Sequence, residues 1–302
     1  MTELEVDIAG IRMHNPTMLA SGILNETGRS MVDVTKAGAG AVVTKSVGLE
    51  PREGHPNPCI VELECGLINA MGLPNPGIDA YLEEVAIAQG GGVPVIGSVF
   101  GGSEEEIAEV ARRMASAGVA AVELNLSCPH AEGLGAEIGS TPDMVERICR
   151  AVKAGVEVPI FAKLTPNTSS IASLASAAEE GGADGIVAIN TLRAMAICPE
   201  LGRPILSNRF GGLSGEAVRA VGVRCVYEIF DAVTIPIIGV GGVTTSKDAL
   251  EYIMAGATAV QMGTAVWSEG PGVFSDVCDG LGEFMKANGY GSVEEMKGIA
   301  HR

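Results

Sequence analysis

The sequence lacks the cysteine patterns that hold metal centres or disulfide frameworks. Its 302 residues include seven cysteines, an odd number, scattered along the chain without a single Cys-x-x-Cys pair. Paired spacings of that kind are typical of zinc and iron–sulfur sites, and even sets of cysteines are typical of disulfide-rich secreted proteins. The sequence therefore predicts a reduced, cytoplasmic protein with no metal site of its own.

Positive charge and long apolar runs are also scarce. The chain has 20 Lys and Arg residues against 37 Asp and Glu residues, a net charge of -17, and contains no Lys/Arg block. Such an acidic chain is poorly suited to nucleic acid or to an anionic membrane surface. No apolar run reaches the roughly 18 residues of a membrane span, and residues 1–10 are acidic and alternating, unlike a signal peptide. We therefore expect no nucleic-acid partner and no membrane association.

A Gly-x-Gly-x-x-Gly fingerprint after the first strand is missing too, which disfavours an open, doubly wound sheet. The sequence has instead a series of short apolar runs, each followed by polar or Gly-rich residues and then by a helical pattern. Eight such units predict one closed (β/α)8 TIM barrel, a single domain over residues 1–302, with the open sheet as the alternative. The runs cover residues 16–21, 41–45, 93–98, 122–126, 159–164, 185–190, 235–240 and 259–263.

Two connections are too long to be plain turns. Residues 47–75 follow the second predicted strand, and residues 191–215 follow the sixth. Long loops in compact domains are usually lids or binding loops. In a barrel both would emerge at the C-terminal rim, where the active sites of such barrels lie. Among the other connections, capping residues predict helices over 103–117, 141–154 and 246–255.

Polar side chains end several predicted strands and should converge at that rim. They are Ser21, Lys45, Ser46, Ser98, Asn125, Lys163, Asn190 and Thr191. The two lysines are informative, because an ammonium group inside a barrel is costly to bury unless it meets an anion or strong acceptors. The alternative is that each pairs with an acid of the rim. The amides of Asn69, Asn125 and Asn190 suit a planar ring such as a pyrimidine, although each alone is also typical of a loop cap.

The stretch from residue 121 to residue 130 changes from an apolar strand to an irregular loop at Pro129, which cannot donate to a sheet ladder. Cys128 and Asn125 therefore lie where a buried strand ends. A thiol there, beside an amide able to fix a polar ligand, is a candidate for proton transfer or nucleophilic attack. The alternative is a buried structural cysteine.

Glycine-rich segments end the seventh and eighth strands, at residues 237–243 and 262–265. Glycine there exposes backbone N–H groups ahead of a helix N-terminus, an arrangement that favours an anion. Phosphate sites in barrels occur at this pair of loops. Tight turns without a ligand are the alternative.

In combination these motifs resemble the dihydroorotate dehydrogenase family. The matching segments follow one another in order from Leu19 to Thr264. They cover residues 44–48, 51–54, 69–73, 125–129, 163–167, 190–192, 211–215, 237–242 and 255–257. Within the family, a cysteine at position 128 resembles class 1B, whose catalytic base is Cys, rather than the membrane-associated class 2, whose base is Ser.

The resemblance implies an FMN-binding barrel that oxidises (S)-dihydroorotate to orotate in pyrimidine biosynthesis. Cys128 would remove a proton from C5 while hydride passes from C6 to flavin N5, with activity rising toward alkaline pH. The implied substrate contacts are Lys45, Asn69, Met71, Gly72, Leu73, Asn125, Asn190 and Thr191. The implied FMN contacts are Ser21, Lys45, Ser46, Ser98, Asn125, Lys163 and Ile189, with the phosphate at Gly215, Gly241, Gly242, Gly263 and Thr264.

The resemblance also implies a homodimer at the core of a heterotetramer, in which a second subunit with FAD and a 2Fe–2S cluster passes electrons to NAD. Two positions depart from the family's pattern, because His130 and Ser98 stand where relatives commonly have Asn. Three alternative functions remain at this point. They are a dihydropyrimidine dehydrogenase-like reductase, a non-redox phosphate-binding lyase or isomerase, and a catalytically silent partner subunit.

Overall fold

Short strands alternate with helices along the computed structural model, which describes residues 4–126 and 139–302. The strands are β1 (Val6–Ile8), β2 (Ile11–Met13), β3 (Thr17–Leu19), β4 (Ala41–Val43), β5 (Ile60–Leu63), β6 (Gly66–Asn69), β7 (Val95–Val99), β8 (Ala121–Asn125), β9 (Ile160–Leu164), β10 (Gly185–Ala188), β11 (Leu192–Ala194), β12 (Ile197–Cys198), β13 (Arg203–Pro204), β14 (Gly211–Ser214), β15 (Ile237–Val240) and β16 (Ala259–Met262). The helices are α1 (Gly28–Lys36), α2 (Ile78–Gln89), α3 (Glu104–Ser116), α4 (Pro142–Lys153), α5 (Ile171–Glu180), α6 (Arg219–Phe230), α7 (Ser246–Met254), α8 (Thr264–Glu269) and α9 (Val273–Asn288), with 3-10 turns at Glu216–Val218 and Ile299–His301.

Eight of these strands close into a barrel in the order β10-β15-β16-β3-β4-β7-β8-β9. They correspond to the eight apolar runs, and every pairing between them is parallel. Their residues are almost all buried, because helices cover the outside of the barrel and side chains fill its interior. The predicted (β/α)8 TIM barrel is therefore confirmed.

Local sequence explains where several helices begin. Ser103 caps α3, since its Oγ accepts a hydrogen bond from the Glu106 N–H at 3.2 Å, and three glutamates occupy the first turn. Thr245 and Asp248 form a reciprocal capping box at the start of α7, and Pro142 stands in the first turn of α4. The helices predicted over 103–117, 141–154 and 246–255 are therefore confirmed to within one residue at each end.

The two long connections are not simple loops, because they pair with each other. Strands β5 and β6 from the first and β11 and β14 from the second form an antiparallel sheet in the order β11-β14-β6-β5. We call it the mouth sheet. Asn69 of β6 pairs with Gly212 of β14 across 143 residues of sequence, a partnership that no local pattern reveals. Residues of the mouth sheet line the cavity at the barrel's C-terminal rim, as predicted for these connections.

The first two strands form an antiparallel hairpin ahead of the barrel. Its residues alternate between exposed and buried positions, and Ile8 and Met13 join the main hydrophobic core. None of the helices in residues 4–126 and 139–302 combines the length and the apolar composition needed to cross a membrane.

Two buried thiols and one half-buried thiol allow a first test of this packing. Burial raises the pKa of Cys149 to about 12 and the pKa values of Cys225 and Cys278 to about 11, whereas Cys65 is exposed. Iodoacetamide should therefore label Cys65 more than about 100-fold faster than these three in the folded protein, because the thiolate is the reactive form. Peptide mass mapping after timed labelling checks this, and similar rates at all four positions would contradict the packing.

The same raised pKa values should lower the stability of the fold at alkaline pH. An unfolded thiol ionises near its ordinary pKa of about 8.5, so above that pH the unfolded chain releases protons that the folded chain retains. The contribution of the three thiols to the free energy of unfolding is complete below that pH and is lost as the pH rises toward their folded pKa values. Burial also raises the pKa values of Tyr81 and Tyr252, which acts in the same direction. We expect a lower urea midpoint at about pH 10 than at about pH 8.

Candidate active site

A cavity of about 450 Å³ lies where the barrel strands end, between the strand ends, the mouth sheet and α8. Its volume falls within the usual range for a small-molecule site, about 300–1,000 Å³. It gathers most of the residues that the sequence singled out, although they come from widely separated parts of the chain. The predicted residues in its wall are Ser21, Lys45, Ser46, Asn69, Met71, Leu73, Asn125, Lys163, Ile189, Asn190, Thr191, Gly215, Gly241, Gly242, Gly263 and Thr264.

Two of the predicted residues that the structure describes are not part of that wall. Ser98 is fully buried, and its Oγ lies 2.7 Å from the Oγ of Ser46, through which it reaches the cavity. Gly72 has a φ of +75° and packs against His55, whose backbone N would lie 2.7 Å from any Cβ placed there. Cys128 lies outside the described residues. The cavity wall therefore includes neither Ser98 nor Gly72, for which direct ligand contacts were predicted.

Both lysines have a carboxylate partner, but the two partners differ in environment. The Nζ of Lys45 lies 3.2 Å from Glu26, whose side chain is 62% exposed. The Nζ of Lys163 lies 3.1 Å from Glu123, whose side chain is 0% exposed. Lys45 therefore pairs with an acid of the rim, which was the alternative given for both lysines in the sequence analysis. Lys163 pairs instead with an acid inside the barrel. Each lysine brings a cationic N–H donor to the cavity wall.

Hydroxyl and amide groups form a connected chain across the cavity. The Oγ of Ser46 lies 3.1 Å from the Oγ of Ser21 and accepts a hydrogen bond from Asn125 Nδ2 at 3.3 Å. The Oδ1 of Asn125 in turn accepts a hydrogen bond from Asn190 Nδ2 at 3.1 Å. Amides linked in this way are held in fixed orientations and can present donors and acceptors to a planar polar ligand.

Glycines in another part of the cavity wall expose bare backbone. Gly215, Gly241 and Gly242 have φ values of +94°, +125° and +69°, in the region that L side chains rarely adopt. A Cβ on Gly242 would lie 2.7 Å from the carbonyl oxygen of Gly215, and a Cβ on Gly215 would lie 2.6 Å from the Cα of Gly66. Together with Thr264 at the start of α8, this glycine cradle offers backbone N–H groups and a hydroxyl to an anion.

Several residues of the site were not found from the sequence. Glu26 and Trp267 line the cavity from the rim, and nothing in their local sequence marks them. Glu123 and Gln261 lie beneath the cavity in contact with Lys163. Their signal was visible, since each is a polar residue inside an otherwise apolar strand, and such a residue is rarely buried without a partner.

Comparison with known proteins agrees with this geometry. The model of the family described as dihydroorotate dehydrogenase matches residues 3–285. A protein of Methanosarcina mazei is 52% identical over 296 residues, which cover 97% of this chain and 94% of the relative. A protein of Methanocaldococcus jannaschii is 50% identical over 302 residues, 99% of this chain and 98% of the relative, and one of Thermoplasma acidophilum is 52% identical over 302 residues, 100% of both.

All three relatives carry the name dihydroorotate dehydrogenase B (NAD(+)), catalytic subunit. The family match and the identities of about half cover nearly the whole chain, including every barrel strand and the mouth sheet. The chain therefore belongs to the dihydroorotate dehydrogenase family of oxidoreductases.

Proposed function

We propose that this chain binds FMN, oxidises (S)-dihydroorotate to orotate, and delivers the electrons to NAD+ through a second subunit. The observation that carries the proposal is the convergence, in one cavity, of two lysines, a chain of amides and a glycine cradle. The names of the relatives support both the substrate and the NAD-linked acceptor. The words "catalytic subunit" in those names support a partner, and we extend them to a homodimeric core that binds subunits carrying FAD and a 2Fe–2S cluster.

The residues of the cavity fit a flavin mononucleotide in two respects. The glycine cradle suits a phosphate group, because side chains at Gly215 and Gly242 would collide with neighbouring backbone. Lys163 and Asn125, in another part of the wall, are donors suited to the carbonyl oxygens and ring nitrogens of an isoalloxazine. Ser21, Lys45, Ser46, Ile189, Gly241, Gly263 and Thr264 complete the set of proposed FMN residues that line the cavity.

The proposed reaction removes one proton and one hydride from neighbouring carbons of dihydroorotate. When bound, FMN supplies the acceptor for the hydride that leaves C6. Cys128 is the proposed base that takes the C5 proton, which leaves a double bond between C5 and C6. Lys45 provides a cation suited to the carboxylate of the substrate, and the linked amides of Asn125 and Asn190 orient the pyrimidine ring. Asn69, Met71, Leu73 and Thr191 are the other proposed substrate residues in the cavity wall.

Trp267 provides a direct report of FMN binding. It is the only tryptophan of the chain, it lines the cavity, and it is 58% exposed. We expect saturable quenching of its fluorescence when FMN is added to flavin-free protein, because flavin absorbs where the indole emits and would lie close to it. Riboflavin, which lacks the phosphate, serves as the matched ligand and should bind at least about tenfold more weakly. Equal affinity for the two would contradict the phosphate site.

Turnover with an artificial electron acceptor tests the substrate. We expect reduction of the acceptor with dihydroorotate and at least about 100-fold less with dihydrouracil, because the latter lacks the carboxylate that Lys45 would otherwise pair with. Orotate should inhibit the reaction and uracil should not. A preference for dihydrouracil would instead assign the chain to reduction or oxidation of uncharged pyrimidines.

A further inference from the structure

Glu123 is a carboxylate buried where strands normally carry apolar residues. It lies in the middle of β8 between Val122 and Leu124, and all three residues are 0% exposed. Withdrawing a carboxylate from water is costly unless a cation and hydrogen-bond donors satisfy it. The donors that do so come from two other strands of the barrel.

Lys163 and Gln261 satisfy both oxygens of Glu123. The Oε1 atom accepts a hydrogen bond from Lys163 Nζ at 3.1 Å, and the Oε2 atom accepts one from Gln261 Nε2 at 2.7 Å. The Oε1 of Gln261 accepts a second hydrogen bond from Lys163 Nζ at 3.2 Å, which closes the ring of three side chains. Lys163 stands on the neighbouring strand β9, whereas Gln261 reaches across from β16 on another side of the barrel.

This arrangement fixes the ammonium group of Lys163 and leaves one donor for a ligand. An ammonium group has three N–H bonds, and within the described chain two of them are directed to Glu123 and Gln261. Lys163 also forms part of the cavity wall, so its third N–H can donate a hydrogen bond to a ligand in the cavity. Glu123 is the charged group that contacts Lys163 among the described residues, and it cancels the lysine's charge.

The second lysine of the cavity is held differently. Glu26, the partner of Lys45, is largely exposed, so water screens its charge. The charge of Glu123 is screened by protein alone and therefore acts more strongly on anything that binds beside Lys163.

We propose that Glu123, together with Gln261, is a positioning residue that holds Lys163 against the bound flavin and, by cancelling its charge, keeps the reduction potential of that flavin low. The inference rests on the proposed function. A flavin gains negative charge when it is reduced, so a net positive charge beside it favours the reduced state. A neutral ion pair stabilises the reduced flavin less than an unpaired cation would. The lower reduction potential that results suits a flavin whose electrons pass onward to a nicotinamide.

Two substitutions of opposite charge test the proposal. Glu123→Gln keeps the shape and removes the negative charge, whereas Lys163→Gln removes the positive charge. In anaerobic dye-coupled titrations of the FMN-loaded proteins, Glu123→Gln should move the midpoint potential upward and Lys163→Gln should move it downward. Sulfite, which adds to oxidised flavin as an anion, should bind on the order of tenfold more tightly to Glu123→Gln than to wild type.

A disturbed fold would not produce shifts of opposite sign. Glu228→Gln, which removes the same charge from the exposed face of α6, is the matched control and should leave the potential unchanged. The inference is overturned if Glu123→Gln binds FMN stoichiometrically and its midpoint potential is unchanged. It is also overturned if the potentials of Glu123→Gln and Lys163→Gln shift in the same direction. A wild-type chain that binds no flavin overturns the proposed function as well, which distinguishes the two failures.

Gln261→Met covers the case in which Glu123→Gln does not fold. It keeps both charges and a similar volume but removes the hydrogen bonds that complete the ring. We expect weaker FMN binding, measured by the fluorescence of Trp267, with little change in the potential. Wild-type affinity in this variant would show that Lys163 needs no such support and would overturn the positioning role.

Discussion

Replacing Cys128 with alanine should leave FMN bound and slow the reduction of the flavin by dihydroorotate by roughly 10²–10⁴-fold, the usual contribution of a general base. Cys128 stands three residues after Asn125, whose amide is already oriented in the cavity wall. Removing the thiol removes the acceptor for the C5 proton and leaves the residues proposed to bind the flavin intact. Anaerobic stopped-flow absorbance measures the rate of the reductive step directly.

The pH dependence of that rate gives a second readout. A thiol of ordinary pKa, about 8.5, is mostly protonated at neutral pH, so the wild-type rate should rise as the pH approaches that value. The alanine variant should lose this rise. Cys65→Ala is the matched thiol control, because Cys65 is exposed and does not line the cavity. Near-wild-type reduction by the Cys128→Ala protein at neutral pH would show that another group is the base.

Replacing Gly242 with glutamate should abolish FMN binding. The backbone φ of +69° already disfavours any side chain, and a Cβ would lie 2.7 Å from the carbonyl oxygen of Gly215 and 2.9 Å from the Cβ of Arg219. The carboxylate would add a negative charge at the proposed phosphate position. Gly242→Ala should weaken FMN binding and lower the stability of the fold by at least about 1 kcal/mol, through strain and crowding alone. The ratio of flavin to protein after reconstitution and thermal unfolding measure the two effects.

Gly270→Ala separates backbone strain from crowding at the cradle. Gly270 has a similar φ of +77°, but no atom lies within 4 Å of the position a Cβ would take. The variant should lose stability through strain and keep wild-type FMN affinity. For the Gly242→Glu variant itself, a ratio of one bound flavin per protein chain would mean that the phosphate lies elsewhere.

The barrel could be predicted from the sequence because its determinants are local. Each parallel strand is a short apolar run, and the starts of α3, α4 and α7 are marked by capping residues within one turn. Once the strands are placed, the residues at their C-terminal ends must converge. The convergence of Lys45, Asn125 and Lys163 on one cavity follows from this placement.

Contacts between distant segments could not be predicted in the same way. The mouth sheet forms only when Asn69 pairs with Gly212, which lies 143 residues away in the sequence. The local sequence therefore predicts loops where the strands of this sheet lie. The depth of Ser98 could not be predicted, because the order of side chains along the barrel axis decides whether a strand residue lines the cavity or contacts a neighbour such as Ser46. The polar character of Glu123 is visible in the sequence, but its pairing with Gln261 could not be predicted, since the two become adjacent only when the barrel closes.

The absorbance spectrum of the FMN-reconstituted chain, recorded without oxygen before and after addition of dihydroorotate, tests the proposed function most directly. We predict that the chain takes up flavin and that dihydroorotate bleaches the visible flavin band with formation of orotate, with no second subunit present. A chain that takes up no flavin, or a bound flavin that stays oxidised in excess dihydroorotate, would contradict the proposal.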